Sequence, residues 1–255
     1  AVLQYFEISE GIQVATFSTL PTGIGLGSSS AQIVGLVKAF STLLGQDITP
    51  HELGRVAHRI EREILGWAGG IQDQYISALG GVQVLTVDTD GAVRSDPLVI
   101  AAEIREDLER RLVLISAGME RNSADIIKSQ LVDIDGKLDI YDGIKDVGRR
   151  SVELLKSGDV VGLGEAMDEH WRLKKRLSDQ MSNNAMDGQY EELRALGSPG
   201  GKIVGAGGGG FFMMAVPGDL DTYVEELYRR GYRALDWSFD FQGSHVIDQA
   251  PPNGG

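Results

Sequence analysis

The chain of 255 residues contains no cysteine, which excludes disulfides, thiolate zinc sites and cysteine nucleophiles together. Histidine is scarce. The four present, His51, His58, His170 and His245, show no metal-ligand spacing, and His51 and His58, seven apart, read as ordinary helix residues. No apolar run approaches the roughly 18 residues that a membrane span requires. No charged start precedes a hydrophobic signal segment either, so a cytoplasmic location without a membrane partner is the expectation. Basic residues are outnumbered, 24 against 37, for a formal charge of −13. That average field repels nucleic acid and anionic membranes. Internal repeats and long low-complexity stretches are also missing.

The hydrophobic fraction, 42%, is ordinary for a globular protein, and the length suffices for one large or two modest domains. Apolar alternation over Leu3 to Ile8 and Gln13 to Phe17 predicts two strands. Helical spacing over Ala31 to Leu44 predicts a helix. Thr49-Pro50-His51-Glu52 is a capping box with proline at the first helical position, predicting a second helix to about Leu65. Asp73 enters a further short helix, and Val82 to Val87 reads as a strand. In the second half, a block begins at Arg111 to Ser116 with Leu112 to Ile115 as a buried strand, and further strands are expected at Ile203 to Ala206, Phe211 to Ala215 and Ala234 to Phe239. Helices are expected near Ala124 to Leu131, Ile140 to Lys156, Leu163 to Leu177, Met186 to Leu196 and Leu220 to Arg230. Strands with helices layered beside them give an α+β class. The domain boundary is placed near Glu109, giving parts 1–109 and 110–255, and the tail from Gln249 to Gly255 reads as frayed.

Two glycine-rich stretches stand out. Pro21-Thr22-Gly23-Ile24-Gly25-Leu26-Gly27-Ser28-Ser29-Ser30-Ala31 opens an apolar helix, where free amides, the helix dipole and small residues favour a polyphosphate. A Walker A loop would carry lysine where Ser28 stands, and a dinucleotide fingerprint would need glycine where Ser30 stands. A loop with serine caps and no ligand is the plain alternative. The second stretch, Gly200 to Gly210 followed by Phe211-Phe212-Met213-Met214, is flanked by core-type residues rather than by linker composition. Close backbone approach to a ligand or to another backbone explains it better.

Together these motifs resemble the small-molecule kinases of the GHMP superfamily. Pro21 through Ala31 is similar to the family's Pro-x-x-x-Gly-Leu-Gly-Ser-Ser-Ala motif, with Ser30 in place of the usual first alanine, and Gly205 to Gly210 to its C-terminal glycine motif. Ile60 to Gly66, Gly69 to Gly81, Ser116 to Gly118 with Arg121 to Ile127, and Trp171 to Lys175 extend the similarity to the heptose phosphate kinase branch. The resemblance implies an α+β two-domain fold, with a ribosomal-S5-domain-2-like N-terminal part that binds nucleotide and a ferredoxin-like C-terminal part. It also implies ATP and Mg²⁺ as cofactors and phosphoryl transfer to a sugar hydroxyl, the anomeric one of a heptose 7-phosphate or related sugar. The small-molecule sugar is the expected partner, and homo-oligomerisation stays open.

Such transfer needs a polyphosphate cradle, a cation and a carboxylate beside the attacking hydroxyl. By the resemblance, Pro21, Gly23, Gly25, Leu26, Gly27, Ser28, Ser29 and Ser30 hold the nucleotide, and Asp73 is the catalytic aspartate; a helix cap is the alternative for Asp73. Ser29 and Glu61 match the metal positions, with Ser28 and Glu63 as near alternatives. Glu61 and Glu63 cannot share a helix face, so one of them points at the site and Glu63 reads as a surface acid. Arg121, Lys174 and Lys175, the two lysines sharing a helix face with Trp171, are candidates for a substrate phosphate, and Gly207, Gly208 and Gly209 for contact with substrate. A solvated basic face is their alternative.

The family's opening glycine-rich motif has no counterpart ahead of the phosphate loop. A chain that starts at Ala1 is therefore expected to expose a sheet edge and apolar surface and to show weak activity until upstream residues are supplied. A catalytically silent nucleotide or sugar sensor of the same fold is the alternative function.

Overall fold

The computed structural model describes residues 1–9, 11–19, 25–118 and 123–247. The chain forms two compact units: one comprises Ala1–Leu20, Gly27–Pro97 and Asp240–Gly255, the other Pro21–Leu26 and Leu98–Phe239. The expected division at 109/110 thus falls within the second unit. The reason is packing: Leu108, on the helix Ala102–Arg111, shares a core with Leu112, Val160, Leu163 and Ala215.

In the first unit, α1 (Val2–Tyr5), α2 (Ser28–Leu43), α3 (Pro50–Arg59) and α4 (Gln72–Leu79) surround a core of Val34, Val37, Phe40, Leu53, Ala57, Ile60 and Ala78. The capping box that starts α3 is formed: Glu52 N–H donates to Thr49 Oγ1 at 3.2 Å, and Thr49 N–H donates to the Glu52 carboxylate at 3.2 Å. The helix continues as a π-helical turn, Ile60–Ile64, that ends at Gly66 with φ +68°. Its helical stripe of Leu53, Gly54, Val56, Ala57 and Ile60 runs on into Glu61, a carboxylate at an apolar position. An antiparallel hairpin, β1 (Gln83–Val87) with β2 (Val93–Pro97), follows α4. Chain 240–247 returns to this unit, where Gly81 N–H donates to Asp240 O at 2.5 Å and Ser244 N–H to Ala78 O at 3.3 Å.

The second unit is built on a four-stranded antiparallel sheet in the order β4-β5-β3-β6: β3 is Leu112–Ser116, β4 Gly201–Ile203, β5 Phe211–Ala215 and β6 Ala234–Leu235. Its helices are α5 (Ala102–Arg111), α6 (Ser123–Gln130), α7 (Leu138–Ser157), α8 (Val160–Lys175), α9 (Asn184–Ala195) and α10 (Leu220–Arg229). The register pairs Val113 with Met214 and Ile115 with Phe212, and one sheet face packs these residues with Ile203 against Trp171, Met186, Leu193 and Leu227. Side chains of Asp159, Asn183 and Asp219 cap α8, α9 and α10, each accepting from a backbone N–H three residues on.

Three expectations are corrected. Residues 3–8 do not form a strand, because Val2–Tyr5 takes a helical turn that satisfies its own backbone and sets Tyr5, Phe6 and Ile8 against the first core. Residues 13–17 pair with no strand among the described residues, and Phe17 is 96% exposed. A strand without a neighbour leaves its amides and carbonyls unpaired. The last strand stops at Leu235 because the chain beyond is held by other donors, with Trp237 Nε1 donating to Leu112 O at 2.6 Å and Phe239 N–H to Glu109 Oε1 at 2.8 Å.

Gly54 sets the approach of α3 to α4. A Cβ there would lie 3.0 Å from Tyr75 Cα and 3.1 Å from its Cγ. Gly54→Ala should therefore lower stability by about 1–3 kcal/mol through overpacking. Gly35→Ala, whose Cβ meets nothing within 4 Å, should be neutral or stabilising by about 0.5–1 kcal/mol because alanine is the better helix former. Urea unfolding midpoints of the two variants check this.

Candidate active site

The centre of the first unit is the Glu61 carboxylate, 2% exposed. Ser30 Oγ, in the first turn of α2, donates to both of its oxygens at 3.1 Å, and Ser29 Oγ lies 3.5 Å from Oε1. Gln74 Nε2, from α4, donates to Glu61 Oε2 and to Ser30 Oγ, the latter at 3.1 Å. Arg62 NH2 adds a cation 3.5 Å from Oε2. An isolated buried carboxylate would cost many kcal/mol, and these donors and the guanidinium offset that cost. Glu63 points the other way, exposed and paired with Arg59 at 2.9 Å. The two acids divide as the helical spacing requires.

Asp73 stands beside this network in the first turn of α4, and it faces Gly27. A Cβ built on Gly27 would lie 3.5 Å from Asp73 Cβ and Cγ and 3.6 Å from its Oδ2. Gly27 itself is the N-cap of α2 at φ +72° and offers no side-chain cap, so the amides at the start of α2 are left for another acceptor. The unit therefore gathers a helix N-terminus, two serine hydroxyls, a buried acid and a second acid against the N-cap glycine. Ser29 and Glu61 are hard oxygen donors of the kind magnesium takes, and that ion normally uses one or two carboxylates with waters and phosphates. Among the described residues no group of three or more His, Cys, Asp or Glu could hold a metal by itself.

In the second unit the glycine motifs meet. A Cβ on Gly205 would fall 2.3 Å from Gly25 O, and Gly205 has φ +80°. Lys174 donates to the Gly205 carbonyl from α8. Gly207 and Gly208, at φ +104° and +74°, press on Met181 and Ile126: added Cβ atoms would lie 2.4 Å and 2.7 Å from those side chains. Gly209 has φ +154°. Gly205 thus meets backbone, whereas Gly207 and Gly208 meet side chains. Lys175 is ion-paired to Asp187 at 3.0 Å, with its ammonium 5.8 Å from the centroid of the buried Trp171 ring. A substrate phosphate at Lys175 would have to displace Asp187. Pro21, Gly23 and Arg121 lie outside the described residues, and Leu26 and Ser28 sit in the turn and first helical position leading into α2.

Gln74, which the sequence marks as a family-like neighbour of Asp73, and Arg62 are the members to which the sequence assigns no role. Gln74 follows Asp73 directly, and a polar side chain on the inner face of so short a helix was the available signal. On α8, burial, with Lys202 and Lys174 nearby, holds the His170 imidazole down at about 3. Burial also lowers the part-buried Lys202 ammonium to about 8.

The chain matches the family model described as GHMP kinases N terminal domain over residues 1–81 and the one described as GHMP kinases C terminal over 151–234. It is 34% identical over 232 residues to a D-glycero-alpha-D-manno-heptose 7-phosphate kinase of Campylobacter jejuni, covering 89% of this chain and 68% of that protein. Against a mevalonate kinase of Methanothermobacter thermautotrophicus it is 30% identical over 248 residues, with 94% and 76% covered. Its fold is similar to that of a D-glycero-D-manno-heptose 1-phosphate kinase from Bacteroides thetaiotaomicron, with a TM-score of 0.68, 25% identity, and 93% and 68% of the two chains covered. The chain thus spans about two thirds of the length of the heptose phosphate kinases it matches.

His170 gives a prediction with a definite sign. The folded protein keeps the imidazole neutral down to about 3, whereas the unfolded chain takes up the proton near the ordinary value of 6.5. Its contribution is complete above about 6.5 and is lost as pH falls towards 3, since protons then favour the unfolded state. At pH 5 the loss should be roughly 2 kcal/mol. Urea unfolding at pH 7.5 and pH 5 should show that loss in wild type, and a correspondingly smaller one in His170→Gln.

Proposed function

Because the chain belongs to the GHMP kinase family, we propose that it transfers the terminal phosphoryl group of ATP to a hydroxyl of a sugar or sugar phosphate, the anomeric hydroxyl of a heptose 7-phosphate being the favoured acceptor. The observation that carries this reading is the packing of Asp73 against Gly27 at the N-terminus of α2, beside the Glu61–Ser30–Gln74 network.

In this reading the free amides of α2 and the hydroxyls of Ser28 and Ser29 receive the phosphates, with the helix dipole favouring their charge. The absent Cβ of Gly27 leaves the phosphates room beside Asp73. Asp73 accepts or orients the proton of the attacking hydroxyl, and its fixed position against the N-cap makes the attack effectively intramolecular. Glu61 and Ser29 are the residues that would hold Mg²⁺, which supplies charge neutralisation on the phosphates when bound. Ser30 and Gln74 hold the Glu61 carboxylate by hydrogen bonds and so orient it. The heptose phosphate acceptor rests on the relatives. Lys174 and Lys175 would bind its phosphate only by exchanging their present partners.

Asp73→Asn should cut kcat by about 10²- to 10⁴-fold, the usual contribution of a positioned general base, while ATP affinity measured by titration stays within a few-fold. An unchanged kcat would reduce Asp73 to a helix-end acid. Coupled ADP release with heptose 7-phosphate, unphosphorylated heptose and mevalonate as acceptors tests the substrate class. Comparable turnover of all three would remove the sugar phosphate assignment.

A further inference from the structure

Arg62 makes contacts that neither the phosphate loop nor the catalytic roles require. Its guanidinium NH1 donates to Trp67 O at 2.7 Å and NH2 to Gly70 O at 2.7 Å, while NH2 stands 3.5 Å from Glu61 Oε2. The segment it clasps, 65–71, joins the π-helical turn that carries Glu61 to the helix that carries Asp73 and Gln74. Its near end is also tied by Trp67 N–H donating to Glu61 O at 2.9 Å, with Gly66 at φ +68° closing the turn.

The far end has no N-cap of its own. α4 begins after Ile71, which has no side-chain oxygen, and no cap bond forms there. An uncapped helix start leaves its preceding loop free to move, and Asp73 sits one turn beyond that loop. The guanidinium, gripping Gly70 O one residue before Ile71, ties the entry of α4 upstream of the bonds that Gln74 makes to Glu61 and Ser30. Gly69 admits it: a Cβ at Gly69 would lie 2.2 Å from Arg62 NH2 and 2.6 Å from its Cζ.

We propose that Arg62 is a positioning residue for phosphoryl transfer: by bridging Trp67 O and Gly70 O beside Glu61, it splints the 65–71 loop and so holds Asp73 against Gly27. The inference rests on the roles given above to Asp73 and Glu61. It requires the planar fork of arginine. Lysine keeps a positive charge near Glu61 but presents a single ammonium in place of two diverging donors. Gly69 is required with it, although substitution there changes no charge.

The test compares wild type, Arg62→Lys, Gly69→Ala and the double variant. Each single substitution should lower kcat by about 10- to 100-fold, the usual effect of losing a supporting contact or misplacing a reacting group by about 1 Å. KM for ATP should stay within about 3-fold, because the amides of α2 are untouched. The double variant should be no slower than the worse single one, since both break one clasp. Independently of activity, amide hydrogen exchange over residues 66–74 should accelerate in both single variants while α8 and the second-unit sheet keep wild-type protection. Wild-type exchange in this segment, wild-type kcat in an active enzyme, or multiplicative loss in the double variant would each overturn the proposal. Failure of the kinase reading itself shows separately, as wild-type protein that releases no ADP with any sugar or sugar phosphate, and the clasp then stands or falls by exchange alone.

Discussion

The first unit depends on how one buried negative charge is accommodated. Glu61 continues the apolar stripe of α3, where a hydrophobic residue would pack without cost, and a buried carboxylate there must find donors. Those donors come from three places in the chain: Ser30 at the start of α2, Gln74 at the start of α4, and Arg62 beside it. Satisfying the acid therefore brings both helix starts to one point. Asp73 and Ser29, each one residue from a ligand of Glu61, are carried along.

Ser30 shows the same logic on a smaller scale. It stands where the resembled motif has alanine, and its hydroxyl donates to both Glu61 oxygens while accepting from Gln74. That hydroxyl is buried, at 4% exposure. One added oxygen thereby links three segments. Removing one member of such a network leaves the others short of partners, so its members are expected to act as a unit.

The second unit solves a different problem, that of a glycine loop passing close to backbone and side chains. Gly205 lies against the Gly25 carbonyl, and Gly207 and Gly208 lie against Met181 and Ile126, at φ values that other residues rarely adopt. Lys174 then bonds the Gly205 carbonyl, which the turn has removed from the β4–β5 ladder. In this unit the glycines pack closely within the chain, Lys174 bonds one of them, and Lys175 is held by Asp187.

Much of this was legible in the sequence because the signals are local. The capping box at Thr49, the period-3.6 stripes of α7 to α10 and the apolar run of β5 each follow from bonds and contacts within a few residues. The alternation of 3–8 and 13–17 misled because a strand is specified by its neighbour as well as by its own pattern, and residues 2–5 instead close a helical turn. The short β2, Val-Arg-Ser-Asp-Pro, carried no apolar pattern and is defined by its register with β1. Sequence by itself determined that a helix starts at the glycine-serine loop, that Glu61 and Glu63 face apart, and which family the chain resembles. Only the tertiary structure decided that Ser30 and Gln74 close on Glu61, that Asp73 meets Gly27, and that Gly25 meets Gly205. Those pairings join residues far apart in the chain, and they form because a buried charge and a crowded backbone each have few ways to be satisfied; a local pattern can show that a partner is needed, but not which distant residue supplies it.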